Sequence, residues 1–240
     1  QYKAIKQQYP DQAQTVSMDS LYYYDFNMNL AKFKDNPQLR QALSMAVDRN
    51  AIVKDVLGQD QVPIYGYVTA SIEAGQFADV KYAWESWPRA QQIAKAQELF
   101  KAAGYGPNHP LELSISYNTM DLHKKNALAV ASMWQQVFGA NSIKTTASNQ
   151  EWKTFIQARN KGDYEIARDA WSADYDSVDT YTNLFLCGNP LNKSKYCNPA
   201  YDKLILQAQN TQDAQQRIQL IKQALQIAEK RLGRFRRIDR

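Results

Sequence analysis

Residues 168–175 read RDAWSADY. A guanidinium (Arg168), an indole (Trp171), a hydroxyl (Ser172) and a carboxylate (Asp174) follow a stretch patterned as a buried strand. If YEIARDAW is that strand, these groups lie at its carboxyl end or just beyond, where open α/β sheets bind ligands. A charge buried alone is costly, so each one there is either paired internally or reaches a ligand. An aspartate can receive an ammonium group, an arginine can grip a carboxylate through two parallel bonds, and aromatic neighbours shield both from water. That chemistry suits a zwitterion such as a peptide. An internal Arg168–Asp174 ion pair is the competing reading of the same spacing.

Other chemistry is sparsely provided for. The chain holds two histidines, His109 and His123, and no Ser-His-Asp order, P-loop, GxGxxG or metal-ligand cluster, so an enzyme and a bound cofactor are not expected. Cys187 and Cys197 flank a polar, turn-rich loop. In an exported protein such a pair closes a short disulfide loop, and in a reducing compartment it would be two idle thiols. Neither histidine lies at finger-like spacing from the pair, so zinc is not expected.

The net charge of +5 raises the question of nucleic acid. RLGRFRRIDR at the end holds five arginines and one aspartate, which leaves residues 1–230 almost neutral. A nucleic-acid face needs its cations on the folded surface, so none is expected. No stretch approaches the ~18 apolar residues of a membrane span, so no membrane insertion is expected. The opening QYKAIKQQYPDQ reads as a helix tail and turn without the pattern of an export signal, as in a mature chain or a fragment.

The elements that must position RDAWSADY alternate along 240 residues, enough for one large or two small domains. SLYYYDFNMN reads as a strand with Tyr22, Tyr24 and Phe26 on one face and Leu21, Tyr23 and Asp25 on the other. Asn36-Pro37 starts a helical pair running through Asp48 to Gly58, and a turn-rich stretch leads to a helix from Pro88 to Gly104. LELSISY alternates as a half-covered strand. The next helix, DLHKKNALAVASMWQQVFG, is expected to bury a stripe of Leu122, Leu128, Ala131, Met133, Trp134 and Phe138. NSIKTTA is a strand, and Ser148 with Glu151 has the spacing of a capping box for the helix after it. Asn198-Pro199 opens another helix, and Thr211 is the expected cap of the last. The final decapeptide offers no amphipathic period and no return strand. Strands alternating with helices of this length imply βαβ units.

The run QEWKTFIQARNKGDYEIARDAWSADYDSVDTYTNLF resembles the second lobe of the periplasmic oligopeptide-binding proteins, the solute-binding components of peptide ABC importers. So do SLYYYDFN, RQALSMAVDRNAIV, AQELFKAAGY, YNTMDLHKK and NPAYDKLI, in the family's order and together over nearly all of residues 1–230. The resemblance implies an α/β, periplasmic-binding-protein-like lobe of the class II type, with a mixed sheet flanked by helices. It implies a peptide ligand enclosed between two lobes, ABC permease subunits as partners of the intact receptor, and a periplasmic or cell-surface lipoprotein location. Residue by residue, Asp174 matches the position that pairs with the peptide's amino terminus. Arg168 and Arg159 match cleft arginines, and Trp152, Trp171 and Ser172 match the cleft wall. Asn118 and His123 match positions near the ligand's carboxyl end, and Tyr23 and Asp25 match a bordering strand. The Cys187–Cys197 pair matches a bridge seen in some members.

There are departures. Asp25 replaces a longer glutamate, Ser20 and Ser172 stand where some relatives have a cysteine pair, and Leu57 stands where some have a lysine. The first lobe is missing, and residues 231–240 form a basic tail unlike the family's continuation. A dipeptide, murein peptide or metal-chelate ligand is the alternative within the family. Outside it, the alternative is a lone lobe binding acidic surfaces through its tail.

Overall fold

The computed structural model describes residues 2–12, 19–58, 61–232 and 236–239. Among these, β1 (Ser20–Phe26), β2 (Leu111–Asn118), β3 (Ile143–Gln150), β4 (Ile166–Ser172) and β5 (Arg236–Asp239) form one sheet in the order β3-β2-β4-β1-β5. β2 runs parallel to β3 and to β4, whereas β1 is antiparallel to β4 and β5. The sheet is therefore mixed. Its topology puts the carboxyl ends of β2, β3 and β4 on one edge, together with the amino end of β1.

The helices are α1 (Tyr2–Gln8), α2 (Ala31–Lys34), α3 (Pro37–Ala46), α4 (Arg49–Ala51), α5 (Arg89–Ala102), α6 (Asp121–Phe138), α7 (Trp152–Lys161), α8 (Asp179–Thr182), α9 (Pro199–Gln209) and α10 (Ala214–Leu232). α6 links β2 to β3 and α7 links β3 to β4. These parallel crossovers step across the sheet in opposite directions, so right-handed connections lay the two helices on opposite faces.

Several starts follow from capping chemistry. The Asn36 side-chain oxygen accepts the Leu39 amide at 3.1 Å, and Asp48 accepts the Ala51 amide at 2.9 Å. α4 continues as a π-helical turn, Ile52–Leu57, which ends at Gly58 with φ 59°, a left-handed value that glycine adopts without steric penalty.

Four expectations need correction. Ser148 does not cap α7, because β3 keeps pairing with β2 through Gln150, and Glu151 is itself the cap, accepting the Lys153 amide at 2.9 Å. Thr211 does not cap α10. Its hydroxyl donates to Gln207 O at 2.6 Å, and Asp213 accepts the Gln216 amide at 2.7 Å instead. The buried stripe of α6 is His123, Asn126, Ala127, Val130, Trp134 and Val137, with Leu128 half exposed. Trp134 anchors that rotation, since its indole N–H donates to Leu43 O of α3 at 2.8 Å and a buried indole must find an acceptor. Finally, the tail does supply a strand. Residues 236–239 pair with Leu21–Tyr23, because backbone pairing along a free sheet edge makes little demand on side chains. Arg234 and Arg240 of that tail lie outside the described residues.

The core is aromatic. Phe26, Phe33, Tyr24, Trp134, Tyr181 and Tyr201 are fully buried, and burying each stabilises the fold by on the order of 2 kcal/mol. It also holds a cation. Arg49 is buried between the rings of Tyr65 (4.8 Å) and Trp84 (5.0 Å), and its guanidinium donates to Ser44 O and Ser44 Oγ, both at 3.0 Å. Burial pulls its pKa down, and the nearby Tyr65 and Tyr82 hydroxyls oppose that.

Candidate functional site

The edge where β2, β3 and β4 end carries a half-exposed apolar side chain after each strand. Met120 follows β2, Trp152 follows β3 and Tyr175 follows β4, at 52%, 51% and 58% exposure. One such residue on a surface is ordinary, but one after each of three neighbouring strands makes an apolar rim. Between β2 and β3 the rim contains a hollow of about 200 Å³ lined by Tyr117, Thr119, Met120, Asp121, Lys124 and Asn149.

Asp174 stands two residues beyond β4, exposed, and its carboxylate has no hydrogen-bond or ion-pair partner among the described residues. Trp171, half-buried against the core, keeps its indole nitrogen buried with no acceptor. Ser172 bonds Ser20 across the β4–β1 pair, Oγ to Oγ at 2.8 Å.

On the α6 face, Tyr22 of β1 joins Arg168 to His123, and Arg168 also reaches Asn118 at the end of β2. The Arg168 guanidinium lies over the Tyr22 ring at 4.9 Å and donates to Asn118 Oδ1 at 3.3 Å. The Tyr22 hydroxyl meets Nδ1 of buried His123 at 3.2 Å. The expected alternative, an Arg168–Asp174 pair, does not form among the described residues.

On the α7 face lies a second charged group. Arg159 forms an ion pair with buried Asp169, the two side chains 11% and 7% exposed. Tyr23 and Asp25 share this face, since β1–β4 register sets Tyr23 opposite Asp169 and Asp25 opposite Ala167, and both are buried. Trp152 stacks on Phe155 with centroids 6.5 Å apart. The predicted residues thus divide into Asp174, Trp171, Ser172, Trp152 and the strand-end Asn118 at the edge, Arg168 and His123 on one face, and Arg159, Tyr23 and Asp25 on the other.

Cys187 and Cys197 are disulfide-bonded. The loop they close carries Lys193 toward the α7-face charges. Burial and the nearby Arg159 guanidinium push its pKa down, and Asp169 and Asp25 oppose this. A cavity of about 670 Å³ also borders the loop, lined by Met28, Lys34, Arg40, Lys195, Tyr196 and others. It is larger than the hollow at the rim, but it lies past Phe26, opposite Ile166 at the amino end of β4, away from the edge that carries Asp174.

A family description, "bacterial extracellular solute-binding proteins, family 5 Middle", matches residues 1–193. This chain belongs to that family. The periplasmic oligopeptide-binding protein OppA of Haemophilus influenzae is 38% identical over 236 residues, covering 97% of this chain and 42% of that protein. The periplasmic murein peptide-binding protein MppA of Escherichia coli is 37% identical over 207 residues, covering 86% and 37%. A crystal structure of Haemophilus influenzae OppA in complex with RPPGFSPFR superposes with a TM-score of 0.91 at 35% identity, over 100% of this chain and 46% of that one. The chain spans less than half the length of the curated relatives it matches.

As a member of family 5, it has an α/β periplasmic-binding-protein fold, with Arg168 on one face of the sheet and Arg159 of α7 over the other. Sequence alternation could have found Asp169, because its neighbour Arg168 must point the other way. Tyr22 carried no such signal, since it sat among apolar residues of an aromatic strand. Among the described residues no cluster of histidine, cysteine and acidic side chains is arranged to hold a metal, and no helix is long and apolar enough to cross a membrane.

Proposed function

We propose that this chain is one lobe of the peptide receptor of an ABC importer, working outside the cytoplasm and binding an extended peptide without breaking a bond. The observation that carries this reading is the exposed, unpartnered Asp174 carboxylate beside the Met120, Trp152 and Tyr175 rim. A carboxylate at a sheet edge receives the peptide's α-ammonium through a charge-assisted bond, and the rim supplies apolar wall. A second lobe closes over the ligand, excludes water and adds the remaining contacts, which strengthens the charged bond.

The other residues take supporting roles. Arg168, steadied by Tyr22 and Asn118, offers its remaining donors to a peptide carboxylate or carbonyl. Trp171 holds its indole N–H in reserve for an acceptor. The disulfide suits an oxidising compartment, in line with the periplasm, and the permease subunits of the importer are the proposed partners. Haemophilus influenzae OppA, seen in complex with a nonapeptide, supports the ligand class.

Native mass spectrometry of a two-lobed receptor carrying this lobe tests the reading. Co-purifying masses that fragment as peptides are expected, left intact on incubation. A non-peptide ligand, or hydrolysis of a peptide panel above background, would contradict it.

A further inference from the structure

The loop that carries Asp174 is fastened on both sides. Before it, the Ala173 amide donates to Asp19 O at 2.8 Å, next to the Ser20–Ser172 bond. After it, Asp176 Oδ1 accepts the Glu73 amide at 2.6 Å, and the Val178 amide donates to Glu73 Oε1 at 2.9 Å. One residue from a distant part of the chain therefore holds the loop twice, once through its backbone and once through its carboxylate.

Glu73 is itself held. Arg217 of α10 donates to both of its carboxylate oxygens, at 3.2 and 3.4 Å, and Gln76 Nε2 donates at 2.7 Å. Burial draws the Glu73 pKa up, but the Val178 amide, Arg217 and Gln76 outweigh it and hold it below the ordinary value. The backbone that brings it there is one that side chains avoid. Glu73 and Ala74 have φ of 45° and 57°, followed by Gly75 at 76°. Consecutive left-handed residues bearing a Cβ persist only where their surroundings over-determine them, and such strain gathers at functional sites.

We propose that Glu73, backed by Arg217, is a positioning residue that fixes the 173–178 loop so that Asp174 presents its carboxylate to a ligand's ammonium group. The inference rests on the reading of Asp174 given above. An exposed acid on an untethered loop would meet the ligand in a competent orientation only part of the time, and affinity falls by that fraction.

The test uses a two-lobed receptor carrying this lobe, with tetra-alanine and N-acetyl-tetra-alanine as probes in isothermal titration calorimetry. The readout is the ratio of the two dissociation constants. Asp174→Asn is the control and should collapse the ratio. Glu73→Gln, which keeps the shape and loses the charge, and Arg217→Gln should each lower it roughly three- to tenfold, with the acetylated peptide's affinity unchanged. Arg217→Lys should restore part of the ratio. If Asp174→Asn collapses the ratio while both brace variants leave it intact, the positioning role is wrong and the Asp174 reading stands. If both peptides weaken equally in the brace variants, Glu73 supports the fold alone and the proposal fails. A wild-type receptor that does not discriminate the two probes, or an Asp174→Asn variant that keeps the ratio, overturns the Asp174 reading and this inference with it.

Discussion

The Arg168 guanidinium lies over one face of Tyr22 at 4.9 Å, while the hydroxyl of the same ring meets His123 Nδ1 at 3.2 Å. One tyrosine thus connects a strand-end cation to a buried helix residue. Tyr22→Phe keeps the ring under Arg168 and removes the hydroxyl. It should cost about 1–2 kcal/mol in urea denaturation, the scale of a buried hydrogen bond. Tyr22→Leu also removes the cation–π contact and should cost roughly 0.5–2 kcal/mol beyond the lost ring packing. Equal stability of Tyr22→Phe and wild type would show that the hydroxyl contributes nothing.

Arg159 and Asp169 form a nearly buried ion pair, and truncating one partner leaves the other charge uncompensated. Asp169→Ala should therefore destabilise by about 3 kcal/mol, and adding Arg159→Met should recover part of the loss. Chemical denaturation of the two single variants and the double variant checks this. Purely additive losses would mean the pair does not couple.

The Glu73 carboxyl titrates below its ordinary value of 4.5, facing Arg217, Gln76 and the Val178 amide, with Asp176 and Asp179 close by. A carboxyl whose folded pKa is depressed contributes stability that is fully present above the unfolded value and lost as pH falls through the folded one. The thermal midpoint of wild type should therefore exceed that of Glu73→Gln at pH 7, and the gap should narrow as the pH is lowered below 4.5. A gap that stays constant from pH 7 to pH 3 would contradict the assignment.

The disulfide closes a loop with a sequence separation of 10. Constraining so short a loop in the unfolded chain is worth roughly 2–3 kcal/mol. Cys187→Ser with Cys197→Ser should lower the denaturation midpoint accordingly, and reductant should have the same effect on wild type and none on the double variant.

Much of the fold could be read from local chemistry. Asn36, Asp48 and Asn198 mark their helices because a short polar side chain before a helix satisfies free amides whatever lies around it. The buried stripe of α6 is set by tertiary contacts instead. Apolar content alone favours Leu128, whereas the Trp134–Leu43 bond and the Tyr22–His123 bond turn the helix so that a histidine and an asparagine face inward. Likewise the arginines of the candidate site are visible in RNKG and RDAW, and so is Asp169, but not which arginine each partner meets. Asp169 faces α7, which places Arg159 over it, and the β1–β4 pairing brings Tyr22 under Arg168. Glu73 lies about 100 residues before the loop it holds, and no local pattern announces that contact.

In the proposed function Asp174 receives the amino terminus of a peptide. Its most direct test is calorimetric titration of the two-lobed receptor, wild type and Asp174→Asn, with a peptide bearing a free amino terminus and with its N-acetylated form. The substitution removes the charge and keeps the shape. It should weaken the free-amino peptide by about 1.5–3 kcal/mol, the worth of a hydrogen bond to a charged group, which is about 10- to 150-fold in affinity, and leave the acetylated peptide unaffected. Equal weakening of both peptides, or of neither, would contradict it.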